Sequence, residues 1–146
     1  MKIIDYHRCV LDASIVIKWF AKDQEVDRQK AKEFLKLSKN GKLAIIIPDL
    51  LLYEFGNALL KGKSLPLVEF QSALKDLFDL EIEIIPVSLS LLDKAYQIGI
   101  EYNLTVYDAV YVATAEIKNC PLITANPKCF SKVKKNFVFN LADLEF

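Results

Sequence analysis

The chain has 146 residues, of which 53% are apolar, with only four glycines and five prolines. That balance fits one globular domain able to bury roughly two thirds of its unfolded surface, and it excludes low-complexity, collagenous and linker-rich architectures. Nineteen Lys and Arg against nineteen Asp and Glu leave no formal net charge, which excludes a protein held to nucleic acid by bulk charge alone.

Residues 9–11 form a short apolar run, and residues 14–20 read as a buried first helix. Residues 25–40 read as a surface helix, rich in Lys and Glu, with Val26, Ala31, Phe34, Leu35 and Leu37 near one face. Residues 44–47 read as a buried strand closed by Pro48. A helix is expected over 49–61, broken at Gly62 or Ser64. The next begins near Pro66 and carries Val68, Phe70, Leu74, Leu77 and Phe78. Residues 82–86 are a predicted strand, after which Ser88 or Ser90 caps a helix running to about residue 102. A turn at 103–105 leads into a helix over 108–118, a strand over 121–124, a turn at Asn126-Pro127 and an edge strand over 137–139. Strands alternating with helices imply crossover connections, hence an α/β fold with a mainly parallel sheet and helices on both faces. Residues 1–146 are expected to form a single domain.

Cys9, Cys120 and Cys129 are odd in number and make no C-x-x-C pair. Asp5, His7, Arg8 and Asp12 interrupt the first twenty residues, so no secretory segment is expected there. No apolar run approaches the ~18 residues needed to cross a bilayer. A cytoplasmic protein with reduced, mostly buried thiols and no membrane partner is the expectation. The three cysteines and the single His7 fit no zinc-ligand spacing.

In an open parallel sheet, ligands bind at the carboxyl ends of the strands. Asp12 directly follows the first strand, and Asn126 follows Thr124 at the end of another. Glu54 lies in the helix after residues 44–47, and Asp108 opens a later helix. Three carboxylates in one pocket repel one another unless a cation neutralises them or some stay protonated. Mg²⁺ and Mn²⁺ prefer such oxygen ligands, and the chemistry they support there is hydrolysis of a phosphate ester. Each residue also has a plainer reading. Asp108 suits a helix N-cap, and ion pairs with Lys18 or Lys61 would account for Asp12 and Glu54. Glu54, however, sits among Leu50, Leu51, Leu52, Tyr53, Phe55 and Leu59, where an unpartnered carboxylate is costly.

Four stretches together resemble the PIN-domain ribonucleases. They are Val10-Leu11-Asp12-Ala13-Ser14, the run from Pro48 to Leu59 containing Glu54, the run from Leu104 to Ala115 containing Asp108, and Leu122-Ile123-Thr124-Ala125-Asn126-Pro127-Lys128. Each motif alone is weak, but all four in this order within 146 residues are specific, and the nearest group is the VapC-type toxins of toxin–antitoxin pairs. The resemblance implies a three-layer α/β/α sandwich that binds one or two Mg²⁺ or Mn²⁺ ions and cleaves RNA as an endoribonuclease. It implies that Asp12, Glu54 and Asp108 are metal-binding carboxylates, that Ser14 and Thr124 supply hydroxyl contacts, and that a cognate antitoxin is the partner. The sequence departs at the fourth acidic position, where the family usually has Asp and this chain has Asn126. The alternative reading is a catalytically weakened PIN-like domain that binds RNA or a protein without cleaving. An aspartyl phosphoacceptor ranks below both, because Ser14 stands where a second acid would be needed.

Lys128, Lys132, Lys134 and Lys135 lie just beyond Asn126 and form either an RNA phosphate strip, led by Lys128, or a solvated face. Tyr107, Tyr111 and Trp19 are either base-stacking or core residues. Leu50, Leu51, Leu52, Phe55, Phe70, Leu74, Leu77 and Phe78 exceed what one sheet face covers, which predicts a homodimer and a separate groove for an antitoxin segment.

Overall fold

The structure is a computed structural model that describes residues 2–20 and 26–146. Five strands, β1 (Arg8–Leu11), β2 (Ala44–Pro48), β3 (Glu83–Ile85), β4 (Leu122–Thr124) and β5 (Val138–Asn140), pair in the order β3-β2-β1-β4-β5. Every pairing is parallel, and Val10 at the centre lies between Ile46 and Leu122. Cys9, Val10 and Leu11 of β1 and Ile45, Ile46 and Ile47 of β2 are all buried. Central parallel strands are covered on both faces, which is why these segments read as unbroken apolar runs rather than alternating ones.

Six helices complete the layers: α1 (Ala13–Trp19), α2 (Arg28–Lys39), α3 (Leu50–Asn57), α4 (Leu67–Asp79), α5 (Leu89–Tyr102) and α6 (Val106–Lys118). The chain steps from β1 to β2 to β3 in one direction, and right-handed crossovers put α1–α4 on one face. Aromatic edges stitch that layer: Phe20 meets Phe55 at 5.2 Å between ring centroids, and Phe55 meets Phe70 at 6.4 Å. The return from β3 to β4 reverses direction, so α5 and α6 cover the other face, with α6 against β1, β2 and β4. The expected α/β/α sandwich is therefore present, and its sheet is wholly parallel among the described residues.

Side-chain caps set the helix starts. Asp12 caps α1, accepting the Ser14 N–H at 2.9 Å; Ser88, not Ser90, caps α5, accepting the Leu91 N–H at 3.1 Å. Thr105 caps α6 by accepting the Asp108 N–H at 3.2 Å, so that helix begins at Val106, two residues before its expected start. Residue 25, the expected start of the second helix, lies outside the described residues; α2 begins at Arg28, and Val26 is 80% exposed rather than part of an apolar face. The helix expected over 49–61 is α3 followed by a π-helical turn, Ala58–Gly62.

The apolar surplus on these helices lies on other residues than expected. Leu51, Phe55 and Leu77 are core, Leu50, Leu52, Phe70 and Leu74 are half-buried against it, and of the eight only Phe78 is exposed. Leu60, Leu67 and Val68 of the same stretch are exposed, and a further apolar stripe is on α5: Leu89, Leu92, Tyr96 and Ile100, at helical spacing on one face. No helix among the described residues is long and apolar enough to cross a membrane. Cys9 and Cys120 are buried, Cys129 is half-buried, and all three are free thiols.

Candidate active site

The strand order reverses at β1, with β2 on one side and β4 on the other. In an open α/β sheet the crevice at that point, beyond the carboxyl ends of the strands, is where ligands bind. The residue leaving β1 is Asp12 and the last residue of β4 is Thr124, 112 positions later. Asp12 is 6% exposed and Thr124 1%. Thr124 Oγ1 donates to Asp12 Oδ2 at 2.5 Å and accepts the Asn126 N–H at 2.9 Å. Ser14 mirrors it, since its Oγ donates to Asp12 Oδ1 and accepts the Ala125 N–H at 2.9 Å. Each carboxylate oxygen of Asp12 thus faces a hydroxyl whose acceptor side is taken by a backbone amide of the loop leaving β4. The carboxylate also caps α1.

Glu54 sits in the second turn of α3 and accepts the Tyr111 O–H at Oε1, 2.9 Å away. Among the described residues, hydroxyls are hydrogen-bond partners of both Asp12 and Glu54. Asp108 is half-buried in the first turn of α6, and because Thr105 holds the cap, its carboxylate is not engaged in capping.

Burial raises the Asp12 carboxyl above the usual range, against hydrogen bonds from Ser14, Thr124 and backbone amides. Burial likewise raises Glu54; the Tyr111 hydroxyl opposes the rise, and the negative charges of Asp12 and Asp108 add to it. Cys129 reports on the same space: burial pushes its thiol up, followed by the charges of Asp108, Asp12 and Glu54. The carboxylates of Asp12 at the end of β1 and of Asp108 on α6 therefore both bear on Glu54 of α3. They are not pre-gathered, since among the described residues no three His, Cys, Asp or Glu side chains are arranged to hold a metal ion.

Asn126 is exposed, and its side chain makes no capping bond to the 3₁₀ turn Pro127–Phe130; the backbone carbonyl serves instead, accepting the Cys129 N–H at 3.2 Å. Lys128, Lys132 and Lys134 are exposed beyond it. Lys135 does not belong with them: it pairs with Glu116 at 3.2 Å and lies over the Tyr102 and Phe137 rings. Trp19 and Tyr111 are core residues rather than stacking surfaces, the Trp19 indole donating to the Ala31 carbonyl at 2.8 Å, whereas Tyr107 is exposed. The Tyr111–Glu54 bond and the proximity of Cys129 were not anticipated. The spacing of Tyr111 one helical turn after Asp108 was the available signal for the first.

The sequence matches the PIN-domain family over residues 9–136. It is 33% identical over 93 residues to exonuclease VapC9 of Pyrobaculum aerophilum, an alignment spanning 64% of this chain and 68% of that protein. The fold is similar to the crystal structure of PAE2754 from Pyrobaculum aerophilum, with a TM-score of 0.66 and 25% identity over 92% of this chain and 90% of that one. It is also similar to VapBC2 from Rickettsia felis bound to a DNA fragment from its promoter, with a TM-score of 0.64 and 24% identity over 91% of this chain and 98% of that one. With the four motifs, the all-parallel sheet and these likenesses in agreement, the chain belongs to the PIN-domain family, and its homologues there are VapC toxins.

Proposed function

We propose that the chain is a divalent-metal-dependent endoribonuclease of the cytoplasm and the toxin of a toxin–antitoxin pair. The observation that carries this reading is the trio Asp12, Glu54 and Asp108, in which a buried Asp12 held by two hydroxyls and the charge of Asp108 both bear on Glu54. An all-oxygen donor set suits Mg²⁺ or Mn²⁺. Mg²⁺ keeps several waters and needs only one or two protein carboxylates besides substrate phosphate, so three pre-gathered ligands are not required. When bound, such an ion supplies Lewis-acid polarisation of the scissile phosphate and neutralises charge on the leaving oxygen.

The chain's own residues do the rest. Ser14 and Thr124 lock the Asp12 carboxylate in one orientation, Glu54 reaches in from α3, and Asp108 enters from the first turn of α6. Asn126 offers a neutral amide at the mouth of the crevice, and Lys128 beyond it meets an RNA phosphate. The groove of about 400 Å³ lined by Gly56, Leu60, Leu65, Leu67 and Phe70 takes an apolar segment of the antitoxin, and the α5 stripe pairs two copies as a homodimer.

The test is incubation of circular and end-labelled linear RNA with Mg²⁺ or with EDTA, using the wild-type chain and Asp12→Asn. Opening of the circle only by wild type with Mg²⁺ is the expected result. Digestion restricted to linear ends would make the activity exonucleolytic, as the name of the Pyrobaculum relative has it. RNA binding with no cleavage under any condition would favour the second reading, a catalytically weakened domain, for which Asn126 is the specific observation.

A further inference from the structure

Glu54 poses a positioning problem that Asp12 does not. Asp12 is a short side chain held at both oxygens by the hydroxyls of Ser14 in α1 and Thr124 in β4. Glu54 is longer, has one more rotatable bond, and projects from a different helix toward charges that repel it. A carboxylate in that position swings away from its neighbours unless something fixes it. Among the described residues, the side-chain hydrogen bond that holds it comes from Tyr111, 57 residues further along the chain.

Tyr111 is suited to that role by its surroundings. The ring is 2% exposed, in the stretch of α6 from Ala109 to Ala115 that is buried throughout. Packing on all sides leaves the hydroxyl little freedom. It donates to Glu54, as the Ser14 and Thr124 hydroxyls donate to Asp12. Tyr111 differs in span. It stands one turn beyond Asp108 on the same helix, so its bond ties the helix of Asp108 to the carboxylate of α3.

We propose that Tyr111 is a positioning residue of the site, holding Glu54 at a fixed distance from Asp108 and Asp12. This rests on the metal-dependent reading above. Tyr111 touches neither substrate nor reacting atoms, and it acts through Glu54. Outer partners of metal-binding groups generally change metal affinity or activity about 10- to 100-fold when removed.

Tyr111→Phe deletes one oxygen and keeps the buried ring, so the variant is expected to fold, and its unfolding midpoint is recorded alongside. Mn²⁺ binding is measured from the free-ion electron paramagnetic resonance signal for wild type, Tyr111→Phe, Glu54→Gln, the double variant and Asp12→Asn. Half-saturating Mg²⁺ and the RNA KM are measured in parallel. Tyr111→Phe is expected to bind Mn²⁺ at least about tenfold more weakly and to need correspondingly more Mg²⁺, with the RNA KM unchanged. Added to Glu54→Gln it is expected to do nothing further. A purely structural tyrosine would instead lower the unfolding midpoint and leave Mn²⁺ affinity alone. Unchanged Mn²⁺ binding in Tyr111→Phe, while Asp12→Asn abolishes it, would overturn the positioning role and keep the metal reading. An undiminished loss in the Glu54→Gln background would overturn the route through Glu54. Mn²⁺ binding indifferent to Asp12→Asn would overturn the metal reading itself.

Discussion

Asp12→Asn is expected to abolish RNA cleavage while leaving the fold standing, and the reason lies in two opposed terms. The substitution preserves volume and leaves Oδ1 to accept the Ser14 N–H and hydroxyl. It replaces Oδ2 by an amide NH₂ facing Thr124 Oγ1, which already accepts the Asn126 N–H, so the Thr124 proton loses its acceptor. Losing one hydrogen bond to a charged group costs about 1.5–3 kcal/mol. Against this, the variant no longer holds a charge that is 6% exposed and repels Glu54. The net change should stay within about 2 kcal/mol in either direction, or about 4–8 °C for a chain of this size. The pH dependence gives the sharper reading. Burial raises the folded Asp12 carboxyl above its unfolded value, so the charged form is favoured in the unfolded chain. That contribution to stability is fully present below the unfolded value near pH ~4 and is lost as the pH rises through the folded value. The midpoint of Asp12→Asn relative to wild type should therefore move in the variant's favour as the pH rises from about 4 through the folded value. Mg²⁺ at about ten times its dissociation constant should then restore about 1.4 kcal/mol, roughly 3–6 °C, to wild type and nothing to the variant. Differential scanning fluorimetry across pH, with Mg²⁺ and with EDTA, reads all three quantities. A variant that melts more than about 10 °C below wild type at neutral pH, with a wild type insensitive to Mg²⁺, would refute the reasoning and make Asp12 a structural cap.

Asn126→Asp is nearly isosteric and adds a carboxylate at a position where the present side chain makes no cap; it should tighten Mn²⁺ binding by titration and speed cleavage at limiting metal, and a flat result in both assays removes Asn126 from the site. Ile100→Glu, in the middle of the exposed α5 stripe, should convert a dimer to a monomer in sedimentation velocity at tens of micromolar, while a wild type already monomeric there would dispose of the homodimer. Glu116 links Lys94 at 3.1 Å and Lys135 at 3.2 Å. Burial raises its carboxyl, but the two lysines outweigh burial and hold it below its ordinary value. It therefore contributes stability above the unfolded value that is lost as pH falls through the folded one. With the side chain about one third exposed, each pair contributes under about 1 kcal/mol, so Glu116→Gln should lower the midpoint by a few degrees at neutral pH and leave it unchanged at about pH 3, as scanning fluorimetry would record.

The layers of the fold were legible because burial on both faces leaves a mark that period alone detects. Residues 45–47 and 122–123 are unbroken apolar runs for that reason. The helix starts were less so, because capping is a local competition. Thr105 and Asp108 both suit an N-cap, and only the backbone decides which hydroxyl or carboxylate reaches the free amides. The apolar surplus was assigned to the wrong residues of α3 and α4 for a related reason. Periodicity identifies a stripe but not how much of its width a neighbour covers, and Leu51, Phe55 and Leu77 turned out to face the sheet and the neighbouring helices. At the site, Asp12 and Glu54 stood out as charges in apolar surroundings. Tyr111 did not, since a tyrosine in an apolar helix looks like core until its hydroxyl is seen to meet Glu54.

The join between β1 and β4 has a consequence for synthesis of the chain. The hydroxyl that orients Asp12 belongs to Thr124, which leaves the ribosome 112 residues later and lies on a strand that pairs beside β1. Contacts of such long sequence separation form late, because closing the intervening loop costs chain entropy before any contact compensates it. A nascent chain that has not yet emerged past residue 124 holds Asp12 without its Thr124 clamp and without the loop that carries Asn126. The crevice is completed only when the chain through Asn126 is free to fold, so translation itself delays its assembly.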